Sequence, residues 1–364
     1  MRWLLRSLCW FGLLGSAAAW DGGAVAVQSL DARALRTLHL DLLGRPPLAT
    51  EVEHSSGKQL AEVVDAIVGE PEFWSRWFEE QLYYFLLVNN FRPQSERMSA
   101  LPADLASSKV DVREAVHLIA LSANFDQRNP GADTFVTVVM EQLLGLQVQK
   151  NARELEIGKH LYDGGEGTFL GARGNSQADV VRIAVRHKGF SAHFIGREYE
   201  RFVHARADPK ELAYSATEFA KDPGVYTNLV KRWLNSEAYR ARLEKRLPLE
   251  NRLFVCSLFV DLLGRVPTEA EAEPMRQALD GLSDPAPLRS VLVRMMIDSG
   301  RVPVEKRSDI TDPAGWVRAR FTRFYGRSPS ESELATFVAA FNEPECRPQT
   351  ILCALLSSPE YQLY

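Results

Sequence analysis

Leu40-Asp41-Leu42-Leu43-Gly44-Arg45-Pro46-Pro47 decides how this chain folds, because the phrase returns twice. Its other copies are Asp261-Leu262-Leu263-Gly264-Arg265-Val266-Pro267 and Arg323-Phe324-Tyr325-Gly326-Arg327-Ser328-Pro329. Ahead of each glycine the apolar residues keep helical spacing: Leu35, Leu38, Leu42 and Leu43, then Val255, Leu258, Leu262 and Leu263, then Val317, Phe321, Phe324 and Tyr325. Glycine suits the left-handed residue that ends a helix, and proline beyond it keeps the helix from continuing. Leu-Gly-Arg-x-Pro is therefore a helix stop. Glu51, Glu271 and Glu333 each follow four residues past the proline, and Thr268 with Glu271 and Ser330 with Glu333 predict capping boxes on the next helix. Leu48 holds that place in the first copy, so a different cap is expected there.

Each arginine follows a helix-ending glycine, where its charge can meet the free carbonyls of the helix end or reach the glutamate six residues on. A structural role for Arg45, Arg265 and Arg327 thus needs only local physics. A shared ligand surface would require three separate helix pairs to aim them at one place.

A second phrase recurs as Glu70-Pro71-Glu72-Phe73, Asn235-Ser236-Glu237-Ala238-Tyr239 and Ser358-Pro359-Glu360-Tyr361, with proline suited to a first helical turn. Between the first two stops, periodicity predicts helices at 111–123, 132–146, 151–162, 178–188 and 190–204, with loops at Asn124 to Gly131 and Asp163 to Asn175. Long alternating strand patterns are absent. The expectation is an all-α protein of repeated helix pairs, divided as 20–110, a helical insert at 111–245, and 246–364.

The first nineteen residues read as a secretory signal peptide: Arg2 and Arg6, an apolar segment from Leu8 to Leu14, and small residues Ala17 and Ala19 before Trp20. That segment is too short for a permanent anchor, so cleavage after Ala19 would release the chain to the periplasm or cell surface. The remainder carries 41 basic against 47 acidic residues, a net charge of −6 with both signs interspersed, which argues against a nucleic-acid partner. No later stretch is apolar enough to span a membrane. Cys256, Cys346 and Cys353 remain; an odd number in helix-like apolar settings favours packed thiols over a Cys256 bridge to the C-terminal pair.

Residues 31–90 and 250–364 resemble the planctomycete-type cytochrome-associated domains of unknown function found in exported bacterial proteins. Leu40 to Pro47, Glu70-Pro71-Glu72-Phe73-Trp74 and Ala354-Leu355-Leu356-Ser357-Ser358-Pro359-Glu360-Tyr361 carry the resemblance. It implies an exported location, a helical fold and a loose association with large assemblies, and leaves open an electron-transfer accessory. Many members look linked to c-type haem, but Glu141 to Gln149 contains no cysteine, so haem attachment is not implied and no cofactor is expected.

Chemistry-bearing candidates gather in the insert. Gly174-Asn175-Ser176-Gln177-Ala178 approaches a hydrolase nucleophile elbow without a strand before it, whereas Ser176 with Asp179 forms a helix-capping pair, the stronger reading. Lys159, His160, Asp163 and Glu166 surround Gly164-Gly165-Glu166-Gly167, which lacks the lysine and hydroxyl of a phosphate loop and reads better as a flexible connection. His187 and His193 are six apart, off a common helical face, so no metal site is expected. Phe73, Trp74, Trp77, Phe78, Tyr83, Tyr84 and Phe85 form an aromatic run; Trp74, Phe78 and Phe85 share helical spacing for the core, leaving Tyr83 or Trp77 for a partner. These features favour a non-catalytic binding or scaffold module that contacts another exported protein or a polymer. A hydrolase acting on exported polymers such as polysaccharide, through His160, Asp163, Glu166 and Ser176, is the alternative.

Overall fold

The computed structural model describes residues 30–87 and 95–364; the expected signal peptide at residues 1–19 lies outside them, as do residues 20–29 and 88–94. The described chain is mostly helical: α1 (Ala32–Leu43), α2 (Ala49–Ser55), α3 (Leu60–Gly69), α4 (Pro71–Leu86), α5 (Glu96–Ala106), α6 (Val112–Ala120), α7 (Ala123–Arg128), α8 (Gly131–Val138), α9 (Ala152–Tyr162) and α10 (Gln177–Arg186). There follow α11 (Lys188–Val203), α12 (Pro209–Lys221), α13 (Tyr226–Leu234), α14 (Glu237–Leu243), α15 (Asn251–Leu263), α16 (Glu269–Asp280), α17 (Ala286–Asp298), α18 (Pro313–Tyr325), α19 (Glu331–Asn342) and α20 (Pro348–Leu356). The fold class is all-α. None of these helices is long and apolar enough to cross a membrane.

Three details of the insert differ from its periodicity. The expected loop at Asn124 to Gly131 contains most of α7, because Ser122 accepts from the Phe125 N–H and starts a new helix where 111–123 predicts one continuous element. The 132–146 helix widens into a π-helical turn at Val139–Leu143 and stops at Gly145, whose φ is 65°. The expected loop at Asp163 to Asn175 holds a two-stranded antiparallel hairpin, β1 (Gly167–Phe169) and β2 (Ala172–Gly174). Its two turn residues, Leu170 and Gly171, have φ of 48° and 85°, the left-handed pair that matches hairpin twist. Three-residue strands are too short to show alternation.

Helix stops explain the architecture. Gly44, Gly264 and Gly326 end α1, α15 and α18 at φ of 70°, 67° and 67°. Leu87 after α4 and His204 after α11 take the same conformation at φ of 52°, without glycine. The caps downstream of the three arginine turns differ. Ser330 and Glu333 form the full reciprocal box, each accepting from the other's backbone N–H. Glu271 accepts from the Thr268 N–H, but the Thr268 hydroxyl donates to that same carboxylate instead of accepting from the helix, so this box is one-sided. Glu51 alone caps Leu48, whose side chain has no acceptor to offer.

Two apolar cores result. One runs from Leu35 to Leu243, and the other from Leu249 to Tyr361, with Leu40 of α1 reaching into it. Helices distant in sequence pack together: α3 on α13, α6 on α10, and α17 on α20. Two aspartates with buried side chains, each three residues ahead of a stop glycine, tie α1 to α14 and α15 to α1. Asp41 accepts from Arg242 at 2.9 Å and the Tyr239 hydroxyl at 3.0 Å. Asp261 accepts from Arg36 at 2.7 and 3.1 Å and from Tyr361 at 2.8 Å, tying α1 to the second core. Each ion is both paired and hydrogen-bonded, the condition under which a buried charge is tolerated. Cys256, Cys346 and Cys353 are unpaired, half-buried thiols.

Candidate functional site

The insert candidates cluster around the β1–β2 hairpin, and most are held by local bonds. Lys159, on α9, pairs with Glu156 at 2.9 Å and Asp133 at 3.1 Å. The His160 ring lies over Gly165, so close that a Cβ there would fall 2.2 Å from it. Ser176 is the N-cap of α10: its hydroxyl accepts from the Asp179 N–H at 3.2 Å and donates to Asp179 Oδ2 at 3.0 Å. Hydrogen bonds from the Asn175 N–H and Arg182 then hold the Asp179 carboxyl below the usual range. Among the described residues, Ser176 Oγ bonds to Asp179 and to no histidine. Asp163 and Glu166 are exposed, and Glu166 lines a polar cleft of about 570 Å³ with Thr168, Arg173, Asn175 and Asp179. His160 is not part of that lining, so the five candidates do not converge on one point.

The aromatic run is divided differently from its spacing. Trp77 is fully buried, and its indole N–H points at Glu198 Oε2 (3.0 Å) and the Tyr226 hydroxyl (2.9 Å). Tyr83 is 47% exposed. Glu198 has no solvent exposure; burial pushes its pKa up, but Arg201, Arg197, Tyr226 and Gln81 outweigh that and hold the carboxyl down at about 2. Burial of this charge follows from its partners, since an unpaired carboxylate there would neutralise instead.

The arginine turns form the most regular polar geometry in the molecule. Arg45 donates through Nη1 and Nη2 to Glu51, both at 2.7 Å, and through Nε and Nη2 to Glu72, both at 2.6 Å. Arg327 repeats this with Glu333 at 2.8 and 2.7 Å and with Glu360 at 2.7 and 2.5 Å. Arg265 repeats only the first half, meeting Glu271 at 2.9 and 2.7 Å. Each arginine also donates at 3.1 Å to the carbonyl of its own following residue, Pro46, Val266 or Ser328. The charge thus closes the turn itself and does not cap the helix-end carbonyls. Local spacing pointed to the glutamate six residues on. The second carboxylates, Glu72 and Glu360, belong to the other recurring phrase, and only the pairing of the two phrases in register could have exposed them.

A third polar region escaped the sequence altogether. Between α4 and α15–α17 lies a cleft of about 630 Å³, lined by Arg76, Glu79, Glu80, Arg252 and Arg289 among others. Arg252 pairs with Glu79, and Arg76 with Glu80. Arg289 is satisfied by neutral acceptors instead, Asn251 Oδ1, Gln362 Oε1 and the Leu249 carbonyl, and burial holds its pKa down. The cleft is an ion-paired seam between the two cores. Comparison with protein families, curated proteins and solved structures found no match.

Proposed function

We propose that the protein is an exported helical binding or scaffold protein, an accessory of a periplasmic or cell-surface assembly whose partner is another exported protein or a polymer. The observation that carries this reading is recurrence. Besides the three arginine turns, left-handed residues at Leu87, Gly145 and His204 end helices that are each followed by two more. The third helix of each set runs into a short phrase closing on Phe73, Phe125, Phe190, Tyr239 or Tyr361, or, at α17, on Val302. We read these as six tandem copies of one three-helix unit, with the short α7 and α14 carrying two of the linking phrases; three copies have the stop arginine and three lack it. Stacked units that bury a shared core present extended, rigid faces, which is how tandem-repeat proteins engage partners.

Local bonding of Lys159 and Ser176 supports binding over catalysis. The polar cleft at Glu166 is the feature that favours the alternative, a hydrolase of exported polymers. Affinity purification of the tagged protein from the exported fraction, with peptide mapping of its N-terminus, tests the proposal. Expected are a stoichiometric partner or polymer and a mature chain starting at Trp20. Polymer hydrolysis lost on Glu166→Gln or Ser176→Ala, or an intact Met1 on a cytoplasmic chain, would overturn it.

A further inference from the structure

The second arginine turn is an incomplete copy of the other two. In Arg45 and Arg327 both edges of the guanidinium are occupied, the Nη1–Nη2 edge by the glutamate six residues on and the Nε–Nη2 edge by the glutamate of the second phrase. In Arg265 the first edge is taken by Glu271, and the Nε–Nη2 edge meets no carboxylate other than Glu271 among the described residues. The cause lies in the chain. Just past the third helix of their units, two copies read Pro71-Glu72 and Pro359-Glu360, whereas the second reads Gly300-Arg301. Arg301 Nη1 stands 3.9 Å from Glu271 Oε1, on the side a glutamate would occupy.

That exchange makes the local charge positive. The Arg45 turn holds one arginine and two glutamates, net −1, and the Arg327 turn adds Arg246 on Glu360, net 0; the second holds Arg265, Arg301 and Glu271, net +1. The open turn is also the most exposed of the three: the Arg265 side chain is 45% exposed and Arg301 73%, against 31% for Arg327 and 4% for Arg45. Arg265 is nevertheless held in place, by Glu271, the Val266 carbonyl and the ring of Phe259 beneath it at 5.5 Å. A guanidinium fixed with one bidentate edge open loses little freedom on receiving a carboxylate.

We infer that the Arg265 turn is an open socket for a carboxylate supplied by a partner protein: a glutamate at the first turn of a helix, in a Pro-Glu-aromatic phrase like those that fill the other two sockets. The inference deepens the binding reading proposed above and rests on it. A protein segment is favoured over a free anion because both filled sockets receive their second carboxylate from a glutamate preceded by proline and followed by a buried aromatic, Phe73 or Tyr361. Val266, 41% exposed beside Arg265, offers apolar surface to such an aromatic.

The test uses the intact mature protein and a labelled, amidated peptide of residues 355–364, which carries the Ser-Ser-Pro-Glu-Tyr phrase, read by fluorescence anisotropy. The inference requires saturable binding that weakens about tenfold or more when Glu360 of the peptide is changed to Gln or when the protein carries Arg265→Ala, as for loss of a charged bidentate contact. Arg294→Ala, an exposed arginine paired on its own helix, should change nothing. Arg301→Glu restores the missing carboxylate in the chain itself, so it should abolish peptide binding and raise the melting temperature. A peptide that binds no better than its Gln analogue, or an Arg301→Glu protein that melts and binds like the parent, overturns the socket. A native partner retained equally by parent and Arg301→Glu would remove the socket while leaving the binding reading in place. A parent that retains no partner would remove the binding reading instead.

Discussion

Arg45→Ala removes the buried centre of the first staple. Four charged hydrogen bonds to Glu51 and Glu72 and one to the Pro46 carbonyl disappear with the guanidinium. The two carboxylates left behind are partly hydrated, with side chains 30% and 44% exposed, so they do not suffer the full penalty of an orphaned buried charge. Breaking a buried pair by removing one partner costs about 3–5 kcal/mol, and that hydration places the loss near the lower end, about 3 kcal/mol. At about 2–4 °C per kcal/mol for a unit of this size, the melting temperature should fall by roughly 6–12 °C. Calorimetry of the purified protein measures it. Glu72→Gln and Arg45→Ala combined should lose less than the sum of their separate losses, because both act on one network. Arg265→Ala, whose ion pair is solvent-exposed, should leave the melting temperature close to the parent's. Refutation would be an Arg45→Ala protein that melts within about 2 °C of the parent, or an Arg265→Ala protein that falls just as far.

Acid should destabilise the fold in a defined window. The Glu198 carboxyl sits at about 2 in the folded state and near 4.3 when unfolded, so its stabilisation is fully present above about pH 4.5 and is lost as pH falls from there toward 2. Melts recorded across that range should show the loss, and Glu198→Gln should melt lower at neutral pH while responding less to acid. At the stop glycines, Gly264→Ala meets open space and pays only the left-handed penalty of about 1–2 kcal/mol, whereas Gly326→Ala would place a Cβ 2.4 Å from the Arg33 Cα and should lose clearly more in urea unfolding. Ser176→Ala should cost about 1 kcal/mol in the same assay, as for a lost helix cap, and leave partner binding unchanged.

What could be read in advance follows from range. The stop glycines and the arginine–glutamate partner six residues away are local, and sequence spacing is enough to find them. Glu72 lies 27 residues from Arg45 and Glu360 lies 33 from Arg327, so their meeting depends on how the third helix returns. Asp41 with Arg242, and Arg36 with Asp261, are separated by 201 and 225 residues, and no local pattern marks them. Leu87 and His204 end helices in the left-handed conformation without glycine, which concealed their turns. Trp77 looked available because its spacing departs from that of Trp74 and Phe78; burial became possible once Glu198 and Tyr226 supplied polar partners for its indole N–H.

The measurement that bears most directly on the binding account is cross-linking mass spectrometry of the native protein in intact cells. A protein partner cross-linked next to the Arg265–Arg301 turn, and absent from the Arg301→Glu strain, is the result expected. A chain with no stable partner, together with polymer cleavage that depends on Glu166 and Ser176, would contradict the account.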